Sequence, residues 1–303
     1  MPDTSSQRLH WKRIVGYPFA SAINLYNRTA DSGGFVLRVP DWQHNYPAWT
    51  RDLDPHVIVH TVHGFEIRCN AYDYVGQHVI ADRDWESLIA RTLATIARPG
   101  SLCLDIGANM GFHTLVMGQA VGPSGRVIAF EPDQRNLSSL IYNIRLNGMR
   151  HILPVGLGLS DSAAIVYMAE PSGVNYGAAN MREQSGGNKG QPAMVVRADS
   201  LPLLKGADAI ALIKLDVEGF EENVLRGLGS VLDRVQHIVC EISPEWVNTE
   251  AIFALLANAG FNFVAAPPFH EGRWFKPETC RVQGQHDVLF YRTWSPELAA
   301  MAE

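Results

Sequence analysis

From residue 101 onward the sequence alternates short apolar runs with segments of helical spacing, and this alternation constrains the fold more than any other feature. The apolar runs are predicted to be strands, and within them apolar residues are continuous. Continuous apolar strands separated by helices are typical of a parallel sheet that helices cover on both faces. The predicted strands are residues 102–106, 127–130, 152–157, 210–215, 237–242, 261–265 and 288–291.

Three stretches between these strands carry apolar residues at the spacing of a helix. They predict helices at residues 136–147, 221–232 and 249–258, and glycines at 148 and 260 end the first and the third. Together with the strands they predict an α/β fold, with a mostly parallel sheet and helices on both of its faces.

Residues 1–84 lack this regular pattern and are predicted to form an N-terminal cap, followed by the main domain at residues 85–303. The cap is rich in aromatic residues, which either close over a large acceptor molecule or form a homodimer interface. The aromatic residues in question are Trp11, Tyr17, Trp42, Tyr46 and Trp49.

A second irregular stretch, residues 171–191, interrupts the main domain with glycine-rich, polar sequence. Long segments of this kind in a compact domain often carry function. The stretch is therefore interpreted either as a mobile surface loop or as a lid over the substrate.

The charge balance limits the partners of the chain. Its 303 residues include 25 Lys and Arg against 31 Asp and Glu, a formal net charge of −6. No basic excess is available for phosphate groups, so neither nucleic acid nor an anionic membrane is expected as a partner. No apolar run reaches the roughly 18 residues of a bilayer span, and the N-terminus lacks the apolar core of a secretory signal. A cytoplasmic protein is therefore expected.

The four cysteines point to no metal or redox site. They form no C-x-x-C pair, which argues against a zinc ribbon or a thioredoxin-like centre. Cys103 and Cys240 lie inside apolar runs and are predicted to be buried thiols.

The segment LCLDIGANMGFHT at residues 102–114 is the most informative motif. An apolar strand ends near Asp105, and Gly107 and Gly111 follow in a tight turn, where a backbone approaches a ligand closely. The G-x-x-x-G spacing, with Asn109 in the middle, departs from the G-x-G-x-x-G fingerprint of dinucleotide sites. Asp105 suits a cationic ligand, which it can bind through charge-assisted hydrogen bonds.

The next two strands end in polar residues that suit a nucleoside. Glu131 ends the second strand, where a carboxylate is the expected partner of the two ribose hydroxyls. Ser160 and Asp161 follow the third strand and are placed to hydrogen-bond an adenine edge, with a plain turn as the alternative. Combined with the first motif, these residues predict a nucleoside site.

The segment ALIKLDVEGFEENVLRG at residues 211–227 clusters charges where the fourth strand gives way to a helix. Lys214 and Asp216 share one face of an otherwise apolar strand, and unpaired charges there would be costly to bury. Glu218 and Glu221 either join this cluster or favour the helix N-terminus. Glu241 adds another carboxylate at the end of the fifth strand.

The motifs DIGANMGFHT, FEP, KLDVEGFE and CEISPEW occur in this order, with Trp85 and Glu86 ahead of the first strand. In this combination the chain resembles the FkbM family of S-adenosylmethionine (SAM)-dependent methyltransferases, from about Trp85 to Tyr291. The resemblance implies a Rossmann-like class I methyltransferase fold with a seven-stranded sheet whose last strand is antiparallel. It also implies an enzyme that uses SAM to O-methylate a hydroxyl of a small-molecule acceptor, of sugar or secondary-metabolite type.

The resemblance further implies roles for single residues. Residues of the first loop line the methionine end of SAM, the acid of the second strand holds the ribose, and the pair after the third strand lies at the adenine. The charged residues of the fourth strand face the transferring methyl group, and Asp216 also contacts the cofactor. In the same order, these residues are Asp105, Gly107, Asn109 and Gly111; Glu131; Ser160 and Asp161; and Lys214, Asp216 and Glu218.

A hydroxyl acceptor needs a general base within hydrogen-bonding reach. We expect Asp216 in this role, with Glu218 and His286 as alternatives. Lys214 either keeps Asp216 ionised or stabilises developing negative charge.

Other functions fit parts of the same pattern. Methyl transfer to a carboxylate or a nitrogen needs the same cofactor site. An NAD-linked oxidoreductase shares the sheet and the acidic ribose partner, and a non-catalytic SAM-binding protein needs no carboxylates near the methyl group. A divalent cation held by Asp199, Asp216 and Glu241 would lower the pKa of the acceptor, although no clear metal motif is present.

Overall fold

The computed structural model describes residues 56–71, 73–168, 181–182, 190–206, 209–266, 272–276 and 284–301. Residues 1–55 of the predicted cap and most of the predicted lid lie outside the described residues. Within the described ranges, no helix combines the length and the apolar composition needed to cross a bilayer.

The described part of the chain contains thirteen strands and seven α-helices, together with short 3-10 helices. The strands are β1 (His56–His60), β2 (Glu66–Asn70), β3 (Leu102–Ile106), β4 (Arg126–Phe130), β5 (Ile152–Val155), β6 (Gly158–Leu159), β7 (Ala164–Met168), β8 (Met181–Arg182), β9 (Gln191–Val196), β10 (Ile210–Leu215), β11 (Val235–Ile242), β12 (Asn262–Ala266) and β13 (His286–Tyr291). The helices are α1 (Tyr74–Asp82), α2 (Ser87–Ile96), α3 (Phe112–Val121), α4 (Gln134–Leu146), α5 (Glu221–Leu228), α6 (Thr249–Asn258) and α7 (Pro296–Ala299).

Seven strands form the central sheet, in the order β12-β13-β11-β10-β3-β4-β5. Strands β3, β4, β5, β10 and β11 are parallel, and β13 runs antiparallel to both of its neighbours, β11 and β12. The predicted Rossmann-like sheet, mostly parallel with its last strand antiparallel, is therefore confirmed.

Helices cover both faces of this sheet, because its strands are apolar on both sides. Leu115 of α3 packs with Cys103 in one buried cluster, and Leu225 of α5 packs with Leu104 in the other. The side chains of adjacent residues in β3 thus pack on opposite faces of the sheet. Cys103 and Cys240 are fully buried, as predicted.

The predicted helix at residues 221–232 is wrong in its second half. Helix α5 ends at Leu228, and a 3-10 helix, Gly229–Arg234, continues from it. Gly229 has φ 49°, and a Cβ at this position would lie 2.0 Å from Oδ2 of Asp199. The close approach of that carboxylate explains why the α-helix stops at a glycine.

The hairpin β1–β2 docks onto α4 through two asparagines one helical turn apart. Asn143 Oδ1 accepts the N–H of Arg68 at 2.8 Å, and Asn147 Oδ1 accepts the N–H of Glu66 at 2.9 Å. Their amide nitrogens donate back to the carbonyl groups of the same residues. The asparagines thus satisfy backbone groups of β2 that another strand would otherwise pair. Asn143 also donates to the carbonyl of Met110 at 2.9 Å, so the hairpin and the loop after β3 share an anchor.

The segment before β3 shares a core with the main domain. Phe65 and Ile67 of the hairpin region and Val79 of α1 lie in the same buried cluster as residues of α2 and α3. The boundary predicted at residue 85 therefore separates segments that pack together, and the cap itself stays a prediction.

A second sheet, ordered β6-β9-β7-β8, is inserted between β5 and β10. Its buried residues Val166 and Val195 pack with Val217 and Phe220, which follow β10. This packing brings the small sheet against the segment where the charged motif lies.

Candidate active site

A cavity of about 330 Å³ lies at the carboxyl edge of the central sheet. It lies where β3 has β4 on one side and β10 on the other, the kind of position at which open α/β sheets bind ligands. Among the described residues, six carboxylates and a single lysine line it. They are Glu86, Asp105, Glu131, Asp216, Glu218 and Glu241, with Lys214.

Two glycines shape the loop after β3. Gly107 has φ 85°, and a Cβ there would lie 1.7 Å from the carbonyl oxygen of Asp216. Gly111 has φ 97°, and a Cβ there would lie 2.6 Å from Cδ1 of Leu140 in α4. Of the loop residues assigned to the methionine end of SAM, Gly107 and Asn109 line the cavity. Gly111 does not line it and instead allows the close packing against Leu140.

Asp105 is fully buried and faces the cavity. Thr114 donates its hydroxyl hydrogen to Oδ2 of Asp105, while Oδ1 has no hydrogen-bond partner among the described residues. Burial raises the pKa of Asp105, although the positive charge of Lys214 opposes the shift. A buried oxygen without a partner costs free energy, so the position fits a cationic ligand in the cavity.

Glu131 follows β4 and is held by two backbone N–H groups. Its Oε2 accepts from Asn109 at 2.7 Å, and its Oε1 accepts from Asp133 at 2.8 Å. Burial raises the pKa of Glu131 to about 7, and the two backbone hydrogen bonds oppose the shift. A carboxylate oxygen can accept more than one hydrogen bond, so this fixed group also fits the hydroxyls of a ribose.

Ser160 and Asp161 do not line the described cavity. Helix α5 packs on the backbone of Ser160, since a Cβ on Gly227 would lie 1.9 Å from its carbonyl oxygen. The carbonyl of Asp161 accepts a hydrogen bond from Arg197 at 2.8 Å. The assignment of both residues to the adenine stays a prediction.

Lys214, Asp216 and Glu241 form a hydrogen-bonded group on the cavity side of β10 and β11. Nζ of Lys214 donates to Oδ2 of Asp216 at 2.7 Å, and Asp216 shares another hydrogen bond with Glu241. Burial alone would lower the pKa of Lys214, but nearby carboxylates, Asp216 foremost, raise it above its ordinary value. Burial alone would raise the pKa of Asp216, but Lys214 holds it below the usual range. Burial and the charge of Asp216 raise the pKa of Glu241 to about 11, so Glu241 is the protonated partner.

Glu218 lines the cavity from a strained turn. Its φ of 53° lies in the left-handed region that non-glycine residues seldom occupy. Glu221 holds this turn by accepting the N–H groups of Val217 and Gly219 at 3.1 Å, which places Glu221 in a structural role. Burial and the charge of Asp216 raise the pKa of Glu218 to about 7.

His286 does not line the cavity. Residues of β13 alternate between the two faces of the sheet, and His286 shares its face with Val288, which packs in the cluster on the other side. Its Nδ1 is hydrogen-bonded to the carbonyl of Gly284 at 2.7 Å. Asp287 lies on the opposite face of β13 from His286, and burial and the charge of Asp216 raise its pKa to about 7. The position of His286 gives no support to its use as a base.

Cavity residues outside the predicted site include Tyr74, Trp85 and Glu86, all from the segment before β3. The rings of Tyr74 and Trp85 meet edge to face, with centroids 6.0 Å apart. Burial and the charge of Asp287 raise the pKa of Glu86 to about 8. In the sequence, Trp85 and Glu86 are marked only by the family resemblance, because they belong to no strand end.

The predicted cation site is not formed by its three proposed ligands. Arg197 binds both carboxylate oxygens of Asp199, at 2.9 and 2.6 Å, and Asp199 does not line the cavity. In the part of the chain that the structure describes, no group of three or more His, Cys, Asp or Glu side chains has an arrangement that could hold a metal ion.

Comparison with known sequences identifies the family. The sequence model of the methyltransferase FkbM domain matches residues 105–263, more than half of the 303-residue chain. The chain belongs to the FkbM methyltransferase family. The hexuronic acid methyltransferase AglP of Haloferax volcanii is 28% identical over 181 residues, which cover 59% of this chain and 71% of that protein. The 31-O-demethyl-FK506 methyltransferase FkbM of Streptomyces tacrolimicus is 29% identical over 200 residues, which cover 55% of this chain and 75% of that protein.

Solved structures with a similar chain path include a Klebsiella pneumoniae protein described as an O-methyltransferase. It is 15% identical, with a TM-score of 0.42, and the match covers 69% of this chain and 81% of that chain. A Pyrococcus horikoshii protein described as a transferase is 14% identical, with a TM-score of 0.43, and the match covers 79% of this chain and 73% of that chain. These superpositions are loose, and the fold assignment rests on the strand order of the central sheet.

This member of the FkbM family is a SAM-dependent methyltransferase, and its cavity residues fit that cofactor. The unpartnered oxygen of Asp105 and the excess of carboxylates suit a cation, and the fixed carboxylate of Glu131 suits a ribose. Family membership and the glycine spacing both disfavour the NAD-linked alternative.

Proposed function

We propose that this protein transfers the methyl group of SAM to a hydroxyl of a small-molecule acceptor, of sugar or secondary-metabolite type. The observation that carries the proposal is the group of Asp216, Glu218 and Glu241, which shares one cavity with the residues that fit SAM. A hydroxyl has to lose its proton during transfer, so it needs a proton acceptor at this place. The two relatives support a small acceptor, since one is named for a hexuronic acid and the other for 31-O-demethyl-FK506.

The protein promotes the reaction mainly by positioning the cofactor and the acceptor relative to each other. When bound, SAM supplies an electrophilic methyl group on a sulfonium. Asp105 and Glu131 hold the cofactor from the ends of β3 and β4, and Gly107 brings the first loop against the backbone of Asp216. Cofactor site and proton acceptor therefore belong to one rigid edge of the sheet, which suits the alignment that methyl transfer requires.

Glu218 is the general base in this proposal, ahead of Asp216. Asp216 is ionised, but Lys214 at 2.7 Å and the proton of Glu241 compensate its charge, which weakens it as a proton acceptor. Burial and the charge of Asp216 raise the pKa of Glu218 to about 7. A base is most effective when its pKa lies near the working pH. Lys214 keeps Asp216 ionised in this arrangement, and the charge of Asp216 adds to the effect of burial in raising the pKa of Glu218.

A pair of conservative variants tests the proposal. Glu218→Gln removes the base, whereas Glu222→Gln removes an equal charge that pairs with Arg226 at 2.7 Å outside the cavity. Both proteins and the wild type are incubated with SAM carrying a deuterated methyl group and with hydroxyl, carboxylate and amine acceptors. Mass spectrometry is expected to show a methyl ether with the wild type and the control.

Turnover by Glu218→Gln is expected to fall by at least about 100-fold, the lower range for loss of a general base. Its affinity for SAM, measured by calorimetry, should fall far less than its turnover, because the variant loses only one of the six carboxylates that line the cavity. Labelled methyl found only on carboxylates or amines contradicts the proposal, and undiminished turnover by the variant removes Glu218 as the base.

A further inference from the structure

Among the described residues, one lysine lines the cavity, and its ammonium is already paired with a carboxylate. Lys214 is the only Lys or Arg among the described residues that line the cavity, and its Nζ lies 2.7 Å from Oδ2 of Asp216. The carboxylates of Asp105 and Glu86 also attract it. An acceptor with a negative charge would have to compete with these groups for the same ammonium.

Of the cavity residues that the structure describes, His113 is the other one with a basic side chain, and its ring is uncharged. Burial and the positive charge of Lys214 lower the pKa of His113 to about 3, so its ring is neutral at physiological pH. Its Nε2 is buried without a hydrogen-bond partner in the described ranges, and it lies 3.6 Å from Oε2 of Glu86. A hydroxyl both donates and accepts hydrogen bonds, so one hydroxyl beside both atoms satisfies the imidazole and the carboxylate together.

A further negative charge in this cavity carries an electrostatic cost. Burial first, and then the repulsion between neighbouring carboxylates, raises the pKa of Glu86 to about 8 and that of Glu218 to about 7. Groups with such raised pKa values take up protons when more negative charge is brought near. Binding of an anionic group therefore requires additional protons, whereas binding of a neutral group does not.

Aromatic side chains line the same cavity. Tyr74 is 45% exposed, and its ring meets that of Trp85 edge to face. An aromatic surface binds the apolar face of a ring, and carboxylates bind hydroxyls through charge-assisted hydrogen bonds. The combination suits a ring that carries hydroxyl groups around its edge.

We infer that the acceptor is an uncharged polyhydroxylated ring, and that Glu86 and His113 together bind one of its hydroxyls. The inference rests on the proposed O-methyltransferase function and narrows its acceptor. It separates this protein from the Haloferax relative, whose name specifies an acceptor with a carboxylate.

Matched acceptors test the inference. Methyl hexopyranosides of gluco, manno and galacto configuration are each paired with the corresponding methyl uronoside, which differs in one carboxylate. The kcat/KM of each is measured at neutral pH for the wild type, Glu86→Gln and the surface control Glu222→Gln, with SAM binding measured by calorimetry. The wild type is expected to methylate at least one neutral glycoside with a kcat/KM at least about tenfold above that of its uronoside, which is the cost of one like-charge contact at about 3 Å in the dielectric of water. Glu86→Gln should narrow this ratio, and Glu222→Gln should leave it unchanged.

Three results would overturn the inference while leaving the SAM-dependent activity intact. One is equal or better use of the uronosides, including formation of a methyl ester. Another is normal SAM binding with no methylation of any neutral glycoside. The third is an unchanged ratio in Glu86→Gln, which removes Glu86 from acceptor selection. Absence of SAM binding in the wild type counts instead against the proposed function itself.

Discussion

Replacing Glu131 by Gln is expected to weaken SAM binding by about 10- to 150-fold. The carboxylate accepts the N–H groups of Asn109 and Asp133 through different oxygens, at 2.7 and 2.8 Å. An amide has one oxygen, so Gln cannot accept both N–H groups and still bind the ribose hydroxyls as the carboxylate can. Loss of one hydrogen bond to a charged acceptor costs about 1.5–3 kcal/mol, which corresponds to the stated change in Kd.

The same substitution is expected to lower stability, because one backbone N–H at the site then faces an NH₂ group. An unsatisfied buried donor costs about 1–3 kcal/mol. The measurements are calorimetric titration with SAM and thermal unfolding without ligand, with Glu222→Gln as the control. Glu222 belongs to a partly exposed pair with Arg226, and such pairs contribute about 0–1 kcal/mol.

Titration with S-adenosylhomocysteine decides whether Glu131 acts on the ribose. This product keeps the ribose and loses the positive charge on sulfur, so a ribose contact predicts equal weakening of both ligands. An unchanged SAM affinity in Glu131→Gln would refute the assignment. Weakening confined to SAM would show that Glu131 acts through charge on the sulfonium.

Three further changes have expected outcomes. SAM affinity should rise from about pH 6 to 8, because burial raises the pKa values of Glu86 and Glu218 to about 8 and 7 and a cation binds their ionised forms better. Calorimetry in two buffers of different ionisation enthalpy should show that SAM binding releases protons. An affinity that does not depend on pH would contradict this prediction. Asp216→Asn should lower the free energy of unfolding, measured by urea titration, by about 2–4 kcal/mol, because Lys214 loses its partner. The 25% exposure of Asp216 makes this loss smaller than that of a fully buried ion pair. A variant that unfolds at the wild-type urea midpoint would contradict the prediction. Asn143→Leu removes hydrogen bonds to β2 and to the loop after β3, so amide hydrogen exchange in the β1–β2 hairpin should accelerate. Unchanged exchange rates would show that the hairpin docks without the Asn143 side chain.

Most cavity acids could be predicted from strand ends. Parallel strands end at one edge of a sheet, so Asp105, Glu131 and Asp216 meet there although they lie far apart in sequence. Asp287, whose charge interacts with that of Asp216 although it does not line the cavity, was missed for a related reason. Strand β13 is antiparallel, so its first residues reach that edge, and the apolar pattern does not show strand direction.

Two predicted site residues, Gly111 and His286, do not line the cavity that the described residues form. Gly111 belongs to a motif that suits ligand binding, but its positive φ and its contact with Leu140 reflect the packing of α3 on α4. His286 neighbours Asp287 in sequence but faces the other side of the sheet. Neither the packing of Gly111 nor the sheet face of His286 can be predicted from the sequence before the positions of the neighbouring helices and strands are known.

The sequence by itself determined the sheet and its covering helices, because apolar periodicity is local along the chain. Motifs at strand ends predicted a nucleoside site, and the resemblance to the FkbM family supplied the class of cofactor. Only the tertiary structure decided which charges are paired and which carboxyls hold protons. Lys214 pairs with Asp216, Glu241 is protonated, and Glu86 faces His113, because burial and charges from separate strands and helices set these states. The proposed base and the proposed choice of a neutral acceptor both depend on that arrangement.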